Sequence, residues 1–392
     1  MYLCGLKNDT FNARQRERNV LTLNMTLHPN LEKEFKTDKL NAAHAQQLAY
    51  LIAFGPSVFQ TARLMLHYGI FAMLEESKEG LTQEEVIDKS GLSNYAVKCL
   101  LEASLTTGMV LLDAQTDRYT LSKVGWFLLN DKMIEVDINF NHDVNYEGWF
   151  LLDKALETGK PAGLRHFGDW PTIYEGLSEL PPKVQRSWFG FDHYYSDHSF
   201  NEALQLIFSK HNVRHLLDVG GNTGRFALRV VDYDNDVEVT ICDLPQQLQM
   251  MRQQTAGQKG AERISGFGMN LLDNTQEFPS DKHYDVIWMS QFLDCFGEEE
   301  IVSILGRAAH IMDENSRVLI METLWDRQKY VPAAMALCQT SLYFTALANG
   351  NSKMYNTDDM TRLIQTAGLQ VETIHDEIGK GGHSIIVCKK GS

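Results

Sequence analysis

The sequence is short of the features that mark secreted, membrane-bound or nucleic-acid-binding proteins. Its six cysteines (Cys4, Cys99, Cys242, Cys295, Cys338 and Cys388) are scattered over 392 residues, and none stands in a CxxC pair. That spacing excludes a disulfide scaffold and a zinc site, so no metal is expected, and it predicts reduced thiols in a cytoplasmic protein. No run reads as about 18 apolar residues, so no membrane span is expected. The opening MYLCGLKND meets charge too soon to be a secretory signal. Cations are in deficit, 36 Lys and Arg against 51 Asp and Glu, for a net charge of −15. A surface of that sign lacks the clustered cations that phosphate needs, which argues against nucleic acid or an anionic membrane as partner. What is present, 44% hydrophobic and 22% charged residues, is the composition of a folded chain of two or three domains.

Residues 1–38 are polar with few apolar anchors and read as an arm. Residues 39–135 read as helical. Phe59 to Leu74 is apolar at helical spacing, with Leu64, Tyr68, Phe71 and Met73 as core candidates. Thr82 followed by Glu85 is a capping box, Gly91 is a stop, and Ser93 caps the next helix, Asn94 to Thr107. Val110-Leu111-Leu112 and Arg118 to Leu121, either side of a polar turn, read as a small hairpin. Helices followed by a hairpin form a winged-helix pattern. A winged helix on DNA needs Arg and Lys on its recognition helix. SNYAVKCLLEASLTTG carries one Lys, one Glu and much apolar surface, which favours a dimerisation module.

Residues 136–208 are helical and rich in aromatics, fitting both core packing and an apolar pocket for a planar substrate. From about residue 209 the texture changes. HLLDV, VEVTICDL, YDVIWMSQFL and SRVLIMETL alternate with amphipathic stretches, and LQVETI and HSIIVC lie close together at the end. The expected fold is α/β: a Rossmann-like parallel sheet covered on both faces, closed by an antiparallel hairpin.

Three motifs carry the chemistry. LLDVGGNTG takes a strand into a glycine turn and a helix, through Gly220, Gly221 and Gly224. Its Asp-x-Gly-x-x-x-Gly spacing departs from the dinucleotide fingerprint and suits a nucleoside without a pyrophosphate. Asp243, ending the second strand before Leu244, is placed to accept ribose hydroxyls. Met269 and Asn270 follow the third strand, where a polar side chain can reach an adenine amine.

Together these resemble the class I methyltransferases that use S-adenosylmethionine. The segment Phe191 to Ser199, containing SDHS, and the stretch Val286 to Leu305 extend the likeness. With the winged helix in front, residues 45–390 resemble the O-methyltransferases typified by plant caffeic acid and bacterial polyketide enzymes. The resemblance implies a homodimer interlocked through the N-terminal domain and a small aromatic, phenolic acceptor. It also implies further cofactor contacts from Tyr195, Ser199, Ser290 and Gln291.

The family's catalytic His-Asp-Trp aligns with Asp294-Cys295-Phe296, so the base position is Asp294. Glu322 is retained as its orienting carboxylate, and the second orienting carboxylate falls at Tyr355. A phenol with a pKa near 10 needs a base, and an exposed aspartate near 3.9 is a weak one unless burial raises it. Asp294 as a buried base, a substrate that ionises easily, and a homologue with altered or lost transfer all remain open. His193 and His198 are alternative bases, and a ligand-sensing regulator is the alternative outside catalysis.

Overall fold

The structure, a computed structural model, describes residues 27–196 and 198–391, without the side chains of residues 195 and 196. Most of the expected polar arm therefore lies outside the described residues. Its last part is a docked helix. Pro29–Phe35 buries Leu31, and the His28 N–H donates to the Asp326 carbonyl at 2.8 Å.

The N-terminal module is built as its caps dictate. Gln83–Ser90 opens on the reciprocal Thr82–Glu85 box and ends on Gly91 at φ +69°. The Ser93 side chain caps Asn94–Thr106. Strands β1 (Val110–Asp113) and β2 (Arg118–Leu121) pair antiparallel as the hairpin. Arg118 reaches back to the Gly80 carbonyl at 2.8 Å and to Glu85 at 3.0 Å, fastening the hairpin to the capping box.

The run expected as one helix from Phe59 to Leu74 is two, Gly55–His67 and Ile70–Glu76, broken at Gly69. Gly69 takes φ +67°, which a helix interior cannot hold and glycine adopts cheaply. The break rotates the apolar face. Ala62, Met65, Ile70, Phe71 and Leu74 are buried, Leu64 and Met73 are half-buried, and Tyr68 is exposed.

The sheet has seven strands: β3 (His215–Val219), β4 (Glu238–Asp243), β5 (Ile264–Gly268), β6 (Val286–Ser290), β7 (Arg317–Glu322), β8 (Leu369–Ile378) and β9 (His383–Lys390). Their order is β5-β4-β3-β6-β7-β9-β8, with β3 to β7 parallel and β9 antiparallel between β7 and β8. Period-two alternation divides each central strand between two cores. Leu217, Val219, Ile287, Met289, Val318 and Ile320 face the helices Glu298–His310 and Thr357–Thr366. Leu216, Val286, Trp288, Leu319 and Met321 face Phe200–Lys210, Arg225–Tyr233 and Pro245–Thr255. Trp288 is fully buried and stacks on Phe226 with ring centres 4.8 Å apart.

A third core joins the aromatic-rich middle of the chain to the helix Val331–Tyr343. The stretch Val331–Ala348 is long and apolar enough to cross a membrane, contrary to the sequence expectation that none is. Here Leu337, Tyr343, Phe344, Ala346 and Leu347 are spent on that core. Packing is close enough that a Cβ on Gly148 would stand 2.7 Å from the Leu347 side chain.

Candidate active site

The glycine turn is shaped by contacts that leave no room for side chains. Gly220 takes φ +75° and donates its N–H to the Cys242 carbonyl at 2.9 Å. A Cβ there would lie 2.3 Å from the Phe292 ring. A Cβ on Gly221 would lie 2.6 Å from Asp218 Oδ2. Gly224, at φ +80°, starts the helix Arg225–Tyr233. Asp218 is 3% exposed beneath this turn, and its Oδ2 has no partner among the described residues. Burial, reinforced by the neighbouring Asp243 charge, pushes its pKa up to about 7.

Asp243 ends β4 at the lip of the turn. Its Oδ2 accepts the Asn222 N–H at 2.8 Å and its Oδ1 accepts the Leu244 N–H at 2.7 Å. Burial raises its pKa against the pull of those two donors. Each oxygen keeps a further lone pair, so a diol can still be bound. Met269 is buried beside Cys242, Sδ to Sγ 3.6 Å. Asn270 is exposed and its Oδ1 is turned back onto the Leu272 N–H at 3.0 Å.

Ser290 ends β6. Gln291, at φ +46°, donates its N–H to the Met321 carbonyl at 2.8 Å, and its buried Oε1 has no partner among the described residues. Ser199 is buried at the start of the helix Phe200–Lys210, against Gly379 in the turn between β8 and β9. The Tyr195 and Ser196 side chains and the whole of Asp197 lie outside the described residues. The glycine turn, Asp243 with Leu244, Met269 with Asn270, and Ser290 with Gln291 therefore sit at the carboxyl ends of β3, β4, β5 and β6 in turn. That edge is where ligands bind in open α/β sheets.

Next to it stands the acidic part of the site. Asp294 occupies a single helical turn, Leu293–Cys295, after β6 and is 6% exposed. Burial is the main force that pushes its pKa up to about 7, with Asp192 adding to it. No Lys or Arg pairs with it among the described residues. Glu322 ends β7. Its Oε1 accepts the Phe292 and Leu293 N–H groups at 3.0 and 2.8 Å, and its Oε2 has no partner among the described residues. Burial and the Asp294 charge raise its pKa well above the carboxylate range.

Around this pair stands an aromatic wall. Trp188 donates its indole N–H to the Tyr343 hydroxyl at 2.7 Å, and Phe140 stacks on Phe191 at 4.1 Å. His193 and His198, the alternative bases, line a cleft of about 560 Å³ with Lys132, Asp143 and Arg186.

The cradle fits S-adenosylmethionine: two glycine positions that admit only bare backbone, a carboxylate pair of oxygens with spare acceptors, and the unpartnered Gln291 oxygen. Residues 46–119 match the dimerisation2-like domain family, and residues 196–370 match the O-methyltransferase domain family. The chain is an S-adenosylmethionine-dependent methyltransferase of the O-methyltransferase type. Over 345 residues it is 26% identical to an L-tyrosine C(3)-methyltransferase of Streptomyces lavendulae, covering 86% of this chain and 91% of that one. It is 22% identical to a mitomycin biosynthesis 6-O-methyltransferase of the same organism, covering 84% and 90%. In fold, the enzyme is similar to the methyltransferase SibL, with TM-score 0.66 and 22% identity over 88% of this chain and 98% of SibL. It is also similar to the mitomycin 7-O-methyltransferase MmcR, with TM-score 0.64 and 20% identity over 89% and 98%.

Some site residues gave no sequence signal. Asp218 stood within the glycine motif, but its buried, unpaired state depends on the packing above it. Asp192, Tyr174, Tyr343 and Asn349 come from separate helices and loops, and no local spacing links them to Asp294.

Proposed function

We propose that the enzyme methylates a small phenolic acceptor, with Asp294 as general base. The carrying observation is the buried Asp294–Glu322 pair beside an aromatic wall at the cofactor edge of the sheet. When bound, S-adenosylmethionine supplies a methyl group on a positively charged sulfur. Asp243 accepts the ribose hydroxyls. Gly220, Gly221 and Gly224 let the cofactor lie against bare backbone, with Leu244 and Met269 as apolar walls. Asn270 turns toward the adenine amine, while Ser290, Gln291, Ser199 and Tyr195 complete the cofactor's surroundings.

With S-adenosylmethionine bound, Asp294, poised near neutrality, would take the phenol proton and leave the oxygen as the methyl acceptor. Glu322 holds the Asp294 turn through two backbone N–H groups and resists sharing a second negative charge. Two carboxyl groups thus behave as one base and one support.

A second reading concerns the acceptor atom. A relative matched over most of both chains is an L-tyrosine C(3)-methyltransferase. The same base fits carbon transfer. With the phenol proton on Asp294, charge spread onto the adjacent ring carbon would make that carbon the methyl acceptor, and the ring proton it gives up would return to the phenol oxygen. Incubation with S-adenosylmethionine and L-tyrosine, followed by NMR of the product, decides between them. An O-methyl resonance supports the first reading and an aryl-methyl resonance the second. Absence of methyl transfer to any phenol in an acceptor panel removes both.

We further propose that the enzyme is a homodimer. The helix Ala42–Ala53 has no buried residue, and Leu48, Tyr50 and Ile52 on it, with Phe54 just beyond, are exposed. The apolar run Phe59 to Leu74 packs largely into the module's own core, so the face offered to a second chain is the neighbouring helix. The five described cysteines are all free thiols, in keeping with a cytoplasmic location.

A further inference from the structure

The turn that carries Asp294 is pinned at both flanks. Glu322 holds its leading N–H groups. On the far side Asn349 donates its amide to the Cys295 carbonyl at 2.7 Å, and the Tyr355 hydroxyl donates to the Phe296 carbonyl at 2.8 Å. Tyr355 thus supports the turn through backbone where the family resemblance places a carboxylate. With the backbone held, the remaining freedom is in the Asp294 carboxyl group itself. The Cys295 thiol donates to its Oδ1 at 3.5 Å. The Tyr174 hydroxyl, on the helical turn Ile173–Gly176, is buried without a hydrogen-bond partner among the described residues. Burial and the adjacent Asp294 charge keep the thiol protonated, which makes it a donor and not a nucleophile.

We propose that Cys295 is a positioning residue for methyl transfer: its S–H orients the Asp294 carboxyl group and favours its ionised form. This rests on the reading of Asp294 as base. The sign follows from the hydrogen bond. An S–H donated to a carboxylate oxygen is stronger when that oxygen is charged, so it lowers the proton affinity of the group. Burial and Asp192 on the helix Pro182–Ser196 oppose it, while Glu322 at the end of β7 is itself raised by burial and by the Asp294 charge. Tyr174 and Tyr343, held neutral by burial, add no charge. On the lowering side, the backbone N–H groups of Asp294 and Cys295 join the thiol.

The test uses the full chain without an acceptor. Infrared difference spectra follow the protonated-carboxyl C=O stretch against pH, and Asp294→Asn identifies the band. In Cys295→Ala the midpoint of that band should rise by about half a pH unit or more, roughly a threefold change in proton affinity. Cys295→Ser keeps a donor and should hold the midpoint at or below that of the wild type. Should the Ala variant fail to fold, the Ser variant carries the test, and a raised midpoint there overturns the proposal. A residue that merely packs would lower the melting temperature and leave the midpoint in place, which also overturns it. Spectra in which Asp294→Asn removes no band overturn the base reading and this proposal with it. An assigned band that Cys295→Ala leaves unmoved overturns this proposal alone.

Discussion

The cofactor side and the acceptor side of the site lie on one edge of one sheet, yet they are made differently. The cofactor side is mostly backbone. The glycine turn, the Asp243 lip and the Met269 loop each follow directly from a strand, within about 50 residues of one another. The acceptor side is mostly side chain. Phe140, Asp192, Asp294, Glu322 and Tyr343 come from five elements spread over more than half the chain. A site made of backbone is specified by where glycine and strand ends fall. One made of side chains is specified by how helices pack, so it can change its chemistry by single substitutions without losing the cofactor.

The hardest blow to the acceptor side alone is Asp294→Asn. It should lower turnover by about 10²-fold or more, the usual span for general-base loss, with cofactor affinity unchanged by calorimetry. A loss in both would merge the two sides and break the comparison. The same variant has a stability signature. Burial raises the folded-state pKa of Asp294 from 3.8 to about 7, so the native state binds the proton more tightly than the unfolded chain does. Stability at this residue therefore falls as pH rises from about 4 to about 7 and is level above that. Asp294→Asn should melt higher than wild type by a margin that grows across that window. A margin independent of pH would remove the raised pKa.

The matching cut on the cofactor side is Asp243→Ala. It should weaken S-adenosylmethionine binding by about 1.5–3 kcal/mol, the range for a hydrogen bond to a charged group. Equal affinity in calorimetry would move the ribose contact elsewhere. Ile52→Asp tests a third surface. It should shift the assembly toward monomer in sedimentation at micromolar concentration while the melting temperature of the sheet domain holds. The smallest effect is expected at Thr82→Ala, which removes one helix cap and should cost about 1 kcal/mol by chemical denaturation. No loss there would mean that the Arg118–Glu85 contact alone holds the module's turn.

Legibility followed the same division. LLDVGGNTG, TICDL and the capping signals at Thr82 and Ser93 are local, and the structure places each as its spacing implies. Misreadings arose where distant packing decided. Tyr68 was expected in the core because a continuous helix would bury it, but the left-handed Gly69 turns it outward. Val331–Ala348 was not marked as a long apolar helix, because its polar residues interrupt the run in sequence while the packed helix buries its apolar face. The arm at Pro29–Phe35 looked polar, yet a single Leu31 docks it.

By itself the sequence determined the strand-turn-helix at Gly220, the acidic lip at Asp243, the alternation of the sheet's strands and an acidic residue, Asp294, just beyond β6. These depend on periodicity, on glycine's access to positive φ and on residue identity, all of which are written in short stretches of chain. Only the tertiary structure decided that Asp294 is buried with its pKa raised toward neutrality, the state that the proposed base role needs. Its raised proton affinity comes from burial, first of all, and from the charge of Asp192 on a helix about a hundred residues earlier, on a turn pinned by Glu322, Asn349 and Tyr355. Desolvation and Coulomb interaction act through space between residues far apart in sequence, so they exist only once the helices are packed.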